Sequence, residues 1–155
     1  MIKKGFTLIE LLVVIGIIGL IAGIIIVNLN AARLKSRDGK RRADLASVQM
    51  AVETYADQNS DEYPITLPAG EFKTSVGNPT DWVQAPVIIP TYISVLPKDP
   101  KNDATYYYAY RSDGNDYKIK ASDMESPEGD KWAQEDGVLP ANTVYELFTA
   151  GAITW

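Results

Sequence analysis

Two residue types on which enzymes often depend are absent from this sequence of 155 residues, which contains no cysteine and no histidine. Without cysteine no disulfide can fasten the chain, so packing or a metal ion must hold its C-terminal region. The same absence removes the commonest general bases and nucleophiles, which argues against an enzyme. Acid pairs remain, but Asp113 and Asp116 lie in a predicted turn, where such residues ordinarily shape the backbone.

Proline and charge are also missing from the start of the chain. No proline precedes Pro64, and the run Leu11–Val27 contains no charged or polar residue. The 22 residues Phe6–Val27, at about 1.5 Å each in a helix, are enough to cross the apolar core of a bilayer. We therefore predict a membrane or filament-core helix over 6–29, followed by a globular head at 30–155.

One acid, Glu10, lies at the front edge of this apolar run. A carboxylate costs about 2.5–3.5 kcal/mol at the centre of a transmembrane helix and less near its end. Such a residue is therefore expected to have a function and a cationic partner. The alternative is that Glu10 lies shallow enough to reach the lipid headgroups.

The residues around this acid resemble a known processing motif. Two lysines, Lys3 and Lys4, precede Gly5 and Phe6, and Glu10 follows at a fixed offset inside the apolar helix. This order resembles the class III signal peptides of type IV pilins and type II secretion pseudopilins.

The resemblance implies how the chain is processed and assembled. Residues 1–5 would be a leader, a prepilin peptidase would cut between Gly5 and Phe6, and the new Phe6 amine would be methylated. Glu10 would then meet the Phe6 amine of a neighbouring copy as subunits join a filament on an inner-membrane assembly platform. A buried carboxylate and a buried ammonium are each costly alone, so their pairing would set the offset between subunits.

Two other features of the N-terminal region favour different assignments. Small residues at Ala31 and Ala32 fit a class I secretory signal, although the apolar core is long for one and contains an acid. Six basic residues follow the apolar run, and the positive-inside rule would place that segment in the cytoplasm. The resemblance places the head outside the inner membrane, and we follow it because its motif is the more specific signal.

The basic segment Arg33–Arg42 is open to three interpretations. It could be a solvated face at an anionic membrane surface, a docking face for acidic heads of adjacent subunits, or a nucleic-acid contact. Residues 43–155 carry a net charge of −11, whereas nucleic-acid binding favours basic surfaces. We therefore expect membrane lipid and further copies of the chain as partners, and not nucleic acid.

Beyond the apolar run the sequence predicts a small head of the α+β class. Apolar residues at helical spacing continue the helix as an amphipathic segment over 30–58. A loop follows at 59–104, a hairpin at 105–121, and a C-terminal loop and tail at 122–155. The expected fold is pilin-like, with one long N-terminal helix packed on a small C-terminal antiparallel sheet.

The same patterns predict which side chains of the head face solvent. Alternation in the second hairpin strand directs Ile119 toward the helix and both Lys118 and Lys120 outward. On the helix, Glu53 and Asp57 are like charges one turn apart, which predicts a solvated turn opposite the apolar stripe. The hairpin tyrosines are expected in the core rather than in a binding site.

An acid-rich loop opens the C-terminal segment. Asp123, Glu125, Glu128 and Asp130 offer the several oxygen ligands that calcium prefers, and the major pseudopilins that this chain resembles have a calcium site in this loop. The spacing does not match an EF-hand, and a solvated acidic loop is the alternative. No other cofactor is expected. Thr143–Phe148 then predicts either a last strand or one helical turn.

These patterns predict a structural subunit and no enzymatic activity. One helix would anchor the chain in the inner membrane with an extracytoplasmic head, and the subunit would then join a pilus or pseudopilus. The alternative is a membrane-tethered extracytoplasmic binding module that does not polymerise. The sequence leaves open whether the filament is a surface pilus or a secretion pseudopilus.

Overall fold

The longest element of the chain is an α-helix, α1, which runs over Leu8–Gln58. The computed structural model describes residues 5–66, 68, 71–127, 144–153 and 155, with the backbone alone for 24–28 and 85. The chain divides into two compact units, Met1–Leu34 and Lys35–Trp155, and the second contains the predicted head. The structure confirms the continuous helix that the sequence predicts, since α1 is unbroken over Leu8–Gln58.

Local polar contacts end α1 where the sequence predicts a break. The side-chain amide of Asn59 donates to the carbonyl of Tyr55 at 2.8 Å. Ser60 and Asp61 then adopt left-handed backbone angles, with φ of 62° and 61°. The Asp61 N–H bonds back to the carbonyl of Ala56 at 3.0 Å, which satisfies one of the last free carbonyls of the helix.

A four-stranded antiparallel sheet completes the α+β fold. Its strands are β1, Lys73–Thr74, β2, Tyr108–Ser112, β3, Tyr117–Ala121, and β4, Tyr145–Phe148. They lie in the order β1-β2-β3-β4, and each neighbouring pair is antiparallel. A short helix α2, Ala85–Ile88, precedes β2, and a 3-10 helix, Ala150–Ala152, follows β4.

The core of the head forms where the second half of α1 meets the sheet. Leu45, Val48 and Val52 of α1 are buried at helical spacing, as the apolar stripe predicts. They belong to one cluster with side chains from the sheet, from the segment before β2 and from the C-terminal loop: Trp82, Val83, Ile88, Leu96, Tyr108, Tyr110, Tyr117, Ile119, Ala121 and Met124. The expectation that the hairpin tyrosines are core residues is confirmed for Tyr108, Tyr110 and Tyr117, whereas Tyr106 and Tyr107 are half-buried and lie outside this cluster.

Buried aromatic residues keep their polar atoms bonded. The Tyr108 hydroxyl donates to Asp44 at 2.8 Å, and the Tyr110 hydroxyl donates to the carbonyl of Pro64 at 2.9 Å. The indole N–H of Trp82 donates to the carbonyl of Pro97 at 3.0 Å. These bonds remove the cost of burying an unpaired polar group and fix the rings in one orientation.

The outward orientation predicted for Lys118 is wrong. Its side chain is fully buried, and its ammonium lies 3.5 Å from a carboxylate oxygen of Glu146 and donates to the carbonyl of Trp155 at 2.9 Å. The ring of Phe148 on β4 lies 5.1 Å from the same nitrogen. Because β4 pairs with β3, the tail supplies these contacts, and the hairpin alone could not reveal them. Lys120 is half-buried, 4.1 Å from the ring of Phe72.

Two further expectations need correction. The predicted loop over 59–104 contains β1 and α2, but β1 has only two residues and therefore leaves no alternating pattern in the sequence. Glu53 does not lie on a solvated turn, because its carboxylate accepts hydrogen bonds from Tyr63 and Tyr117. The sequence leaves two alternatives for the tail, a last strand or one helical turn. Tyr145–Phe148 forms the strand β4.

The hairpin turn between β2 and β3 shows why its acids are structural. Asp113 accepts N–H bonds from Asn115 at 2.9 Å and from Asp116 at 3.0 Å. Gly114 between them has a φ of 102°, and a Cβ there would lie 3.2 Å from the side chain of Ile65. Both the backbone angle and the close approach therefore favour glycine.

Replacing Gly114 by alanine should lower the free energy of unfolding by about 1–3 kcal/mol, because a side chain at this φ is strained. A matched control is Gly39→Ala inside α1, where a Cβ meets nothing within 4 Å outside the helix's own backbone. That change should raise the free energy of unfolding by about 0.5–1 kcal/mol. Urea unfolding of both variants measures the difference, and equal effects would contradict this account of the turn.

Candidate functional site

The N-terminal candidate residues lie at and just before the start of α1. Gly5, Phe6 and Thr7 precede the helix in extended or irregular backbone, and all three are exposed. The Gly5–Phe6 bond that the motif marks for cleavage is therefore accessible and outside the helix. Glu10 lies in the first helical turn.

Thr7 and Glu10 form a reciprocal cap at this helix start. The Thr7 hydroxyl donates to Glu10 Oε2 at 2.6 Å, and the Thr7 N–H donates to the same oxygen at 2.8 Å. In return, the Glu10 N–H donates to Thr7 Oγ1 at 3.3 Å. This is the capping-box arrangement of threonine followed three residues later by glutamate. The cap holds the Glu10 carboxylate over the first turn.

Thr7 is a site residue that our reading of the sequence missed. The signal was available, because a threonine three residues before a glutamate at the start of an apolar run is a known N-terminal pattern.

The first part of α1 presents apolar side chains on every side. Each residue from Gly5 to Gly23 is exposed, and the exposed fraction reaches 82% at Leu8 and 78% at Phe6. Glu10 lies in a shallow depression lined by Phe6, Ile9, Val13 and Val14. Exposed apolar surface of this extent marks a site of interaction. In the part of the chain that the structure describes, no helix has both the length and the hydropathy required to cross a membrane.

A second group of charges lies in the head, and we name it the Arg41 cluster: Arg37, Asp38, Arg41, Asp99, Lys101 and Glu125. The Arg41 guanidinium is fully buried and contacts three carboxylates. Its Nε lies 2.6 Å from Asp99, one terminal nitrogen lies 2.8 Å from Asp38, and the other lies 2.9 Å from Glu125. The side chains of these three acids are at most 3% exposed.

Further contacts extend the Arg41 cluster to the backbone and to solvent. Arg37 bonds Glu125 through two nitrogens, and the Lys101 ammonium lies 2.9 Å from the same carboxylate. Asp38 accepts the N–H groups of Glu125 at 2.9 Å and Ser126 at 2.7 Å. The cluster thus joins α1, the loop at Asp99–Lys101 and the C-terminal loop at Glu125–Ser126.

Protonation in the Arg41 cluster is set by these bonds. Burial opposes ionisation of Glu125, but the bonds from Arg37, Lys101 and Arg41 outweigh it and lower the pKa of the Glu125 carboxyl to about 2. Burial opposes ionisation of Asp38 as well, and the N–H donors of Glu125 and Ser126, with Arg41, still lower the pKa of Asp38. Glu125 and Asp38 are therefore carboxylates near neutral pH.

The basic segment Arg33–Arg42 is thus only partly a solvated face. Arg37 and Arg41 bind acids of their own head, which corrects the expectation that the segment serves lipid or adjacent subunits throughout. Glu125 lies 88 residues from Arg37 and Asp99 lies 58 residues from Arg41, so local charge patterns could not reveal these two pairs. Lys40 pairs with Asp44 at 2.9 Å within α1.

The acids predicted to hold calcium are only partly described. Glu128 and Asp130 lie outside the described residues. Asp123 is half-buried and accepts the N–H of Met124 at 2.9 Å, whereas Glu125 is bound to the three cations of the Arg41 cluster. Among the described residues, no group of three or more acids is arranged to hold a metal ion.

Acid should weaken the head through Glu125. Its pKa is about 2 in the folded protein and higher in the unfolded chain, so its stabilisation is present above the unfolded pKa and is lost as pH falls toward 2. We expect the free energy of unfolding to decline between about pH 5 and pH 2, and to decline less steeply in Glu125→Gln. Urea unfolding across this range measures both slopes, and superimposable slopes would contradict the assignment.

Comparison with known proteins matches both parts of the chain. A family model described as the prokaryotic N-terminal methylation motif matches residues 1–26. Type II secretion system core protein G of Vibrio cholerae is 32% identical over 136 residues, which cover 82% of this chain and 86% of that protein.

Further relatives have the same name and shorter matches. The core protein G of Pectobacterium carotovorum is 35% identical, and the match covers 63% of this chain and 62% of that protein. The core protein G of Escherichia coli is 32% identical, and the match covers 63% of this chain and 66% of that protein. No solved structure matches the chain. The exposed apolar helix, the processing motif and the identity across most of both chains lead to one conclusion: this chain belongs to the type II secretion system core protein G family, the major pseudopilins.

Proposed function

We propose that this chain is a structural subunit that polymerises into a type II secretion pseudopilus after a prepilin peptidase removes residues 1–5. The observation that carries the proposal is the exposure of every residue from Gly5 to Gly23, most of them large and apolar. Such a surface must be covered by lipid or by protein. We propose that lipid covers it before assembly and that the same helix of other copies covers it in the filament.

The Thr7–Glu10 cap supports a defined role for Glu10 in this assembly. Cleavage between Gly5 and Phe6 creates a new amine, which would carry a methyl group and a positive charge. Because the hydrogen bonds from Thr7 hold Glu10 in place, its carboxylate is presented in one orientation to a neighbouring copy. We propose that it pairs there with the Phe6 amine, since two buried charges are less costly together than apart.

Apolar contact alone would not fix how copies are offset. Moving a helix from lipid into a helical bundle gains little free energy, so packing and polar contacts determine the arrangement. A subunit that is one step out of register would leave Glu10 buried without its partner. The proposed pair therefore acts as a register device, with the inner-membrane assembly platform as the place where it forms.

The alternative is a membrane-tethered binding module that keeps its helix in the lipid and does not polymerise. The family assignment favours the pseudopilus, and it also favours a secretion role over a surface pilus. The N-terminus of the mature protein separates the two candidates. Mass spectrometry should find a chain that begins at methylated Phe6, whereas an intact Met1 would favour the tether.

The variant Glu10→Ala should be cleaved normally and should fail to form filaments, because the Phe6 amine loses its partner. Glu10→Gln keeps the size of the side chain but removes the charge, and should fail as well. Val14→Ala, which trims an apolar residue of the same depression, is the matched control and should still assemble. Electron microscopy of the sheared fraction measures the outcome, and normal filaments from Glu10→Ala would refute the proposed pair.

Replacing Gly5 by leucine should block cleavage and leave the precursor in the membrane fraction, because the peptidase would no longer accept the bulkier residue before Phe6. Gly16→Leu is a control, since it adds the same side chain inside α1 at an equally open position. Immunoblotting of fractionated cells distinguishes precursor from mature chain. Unchanged processing of Gly5→Leu would count against the peptidase assignment.

A further inference from the structure

The Arg41 cluster brings three carboxylates from distant parts of the chain to one buried point. Asp38 comes from α1, Asp99 from the loop before β2, and Glu125 from the C-terminal loop. Convergent carboxylates on flexible segments are a common way to hold a divalent cation. In this head the centre is taken by the Arg41 guanidinium, which contacts all three acids at 2.6–2.9 Å.

The oxygen atoms of these carboxylates are already engaged. Glu125 Oε1 accepts from Arg37 at 2.7 Å and lies 2.9 Å from Arg41, while Oε2 contacts Lys101 and Arg37. Asp99 Oδ2 accepts from Arg41, and Oδ1 accepts from Arg41 at 3.0 Å and from the Lys101 N–H at 2.9 Å.

Asp38 completes the pattern. Its Oδ1 accepts from Arg41 and from the Glu125 N–H, and its Oδ2 accepts the Ser126 N–H. All six carboxylate oxygens of the cluster therefore accept a hydrogen bond from the chain itself.

The charges of the Arg41 cluster also balance. Three acids face three bases, and Arg37 and Lys101 flank Glu125 on its more exposed side, with side chains 31% and 36% exposed. A calcium ion approaching Glu125 would meet three fixed positive charges and oxygens that are already bonded. Glu125 therefore does not fit the calcium site expected in the C-terminal loop.

We propose that the fixed cations Arg37, Arg41 and Lys101 take the place of a divalent cation at this point of the head. The ion cluster fastens the C-terminal loop at Glu125–Ser126 to α1, and no metal ion is needed at this point. The position of Glu125 and Ser126, which follow β3, is thus held by charged side chains of the same chain.

The first test measures thermal unfolding of the full chain in detergent, with excess calcium chloride and with chelator, for wild type and Glu125→Gln. Glu125→Gln removes the carboxylate charge that the buried Arg41 shares with Arg37 and Lys101, so the melting temperature should fall by about 10 °C or more. The fall should be the same with calcium and with chelator. A calcium-dependent rise in the wild-type melting temperature that Glu125→Gln abolishes would overturn the proposal. A rise that Glu125→Gln leaves unchanged would place calcium elsewhere and support it.

The reciprocal test removes the two outer cations and keeps Arg41. In Arg37→Met/Lys101→Met the cluster holds two negative charges in excess, so calcium should raise the melting temperature of this variant by several degrees more than that of wild type. Lys98→Met is the matched control, because Lys98 is exposed on the same loop and outside the cluster, and it should respond as wild type does. A double variant that responds no more than Lys98→Met would show that the fixed cations do not stand in for a metal.

Discussion

The rest of this molecule depends on one constraint, which is a long run of large aliphatic side chains that is exposed among the described residues. Twelve large apolar residues between Phe6 and Ile21 are exposed. At about 1.5 kcal/mol for burying each, their transfer from water is worth on the order of 20 kcal/mol. That exceeds the whole stability of a typical domain, about 5–15 kcal/mol. The helix therefore needs an apolar environment, and lipid and other copies of itself are the two that a pseudopilin would meet.

Apolar burial is strong but has no preferred direction, so a polar contact has to supply order. Glu10 is the acid at the start of this run, and Thr7 holds its carboxylate at the first turn. An intrahelical cap of this kind restricts the carboxylate before any partner arrives, which lowers the entropy lost on pairing. In the proposed filament, close packing of the helices holds the copies together and the Glu10–Phe6 pair sets the register.

The features that the sequence predicts correctly are local, and those that it does not predict depend on contacts between distant segments. The apolar stripe of α1, which contains the buried Val48 and Val52, follows from helical spacing that can be read within two turns. No local pattern predicts that Arg41 or Lys118 is buried, since charged residues are rarely buried unless paired. Their partners, Asp99 and Glu146, come from other segments that only the fold brings close. The candidate site shows the same division: Gly5, Phe6 and Glu10 follow from a short motif, whereas the binding of Glu125 to three cations does not.

The central claim is that Glu10 of one copy meets the Phe6 amine of another. Solid-state NMR on filaments assembled from two pools of subunits, one with ¹³C-labelled glutamate and the other with ¹⁵N-labelled phenylalanine, tests this contact directly. The account predicts a carbon–nitrogen cross-peak between the Glu10 carboxyl and the Phe6 amine, which can arise only between copies. In a parallel sample, the contact of Glu10 with Thr7 of its own chain provides the internal reference. Filaments that show the Thr7 contact and lack the Phe6 cross-peak would contradict the account.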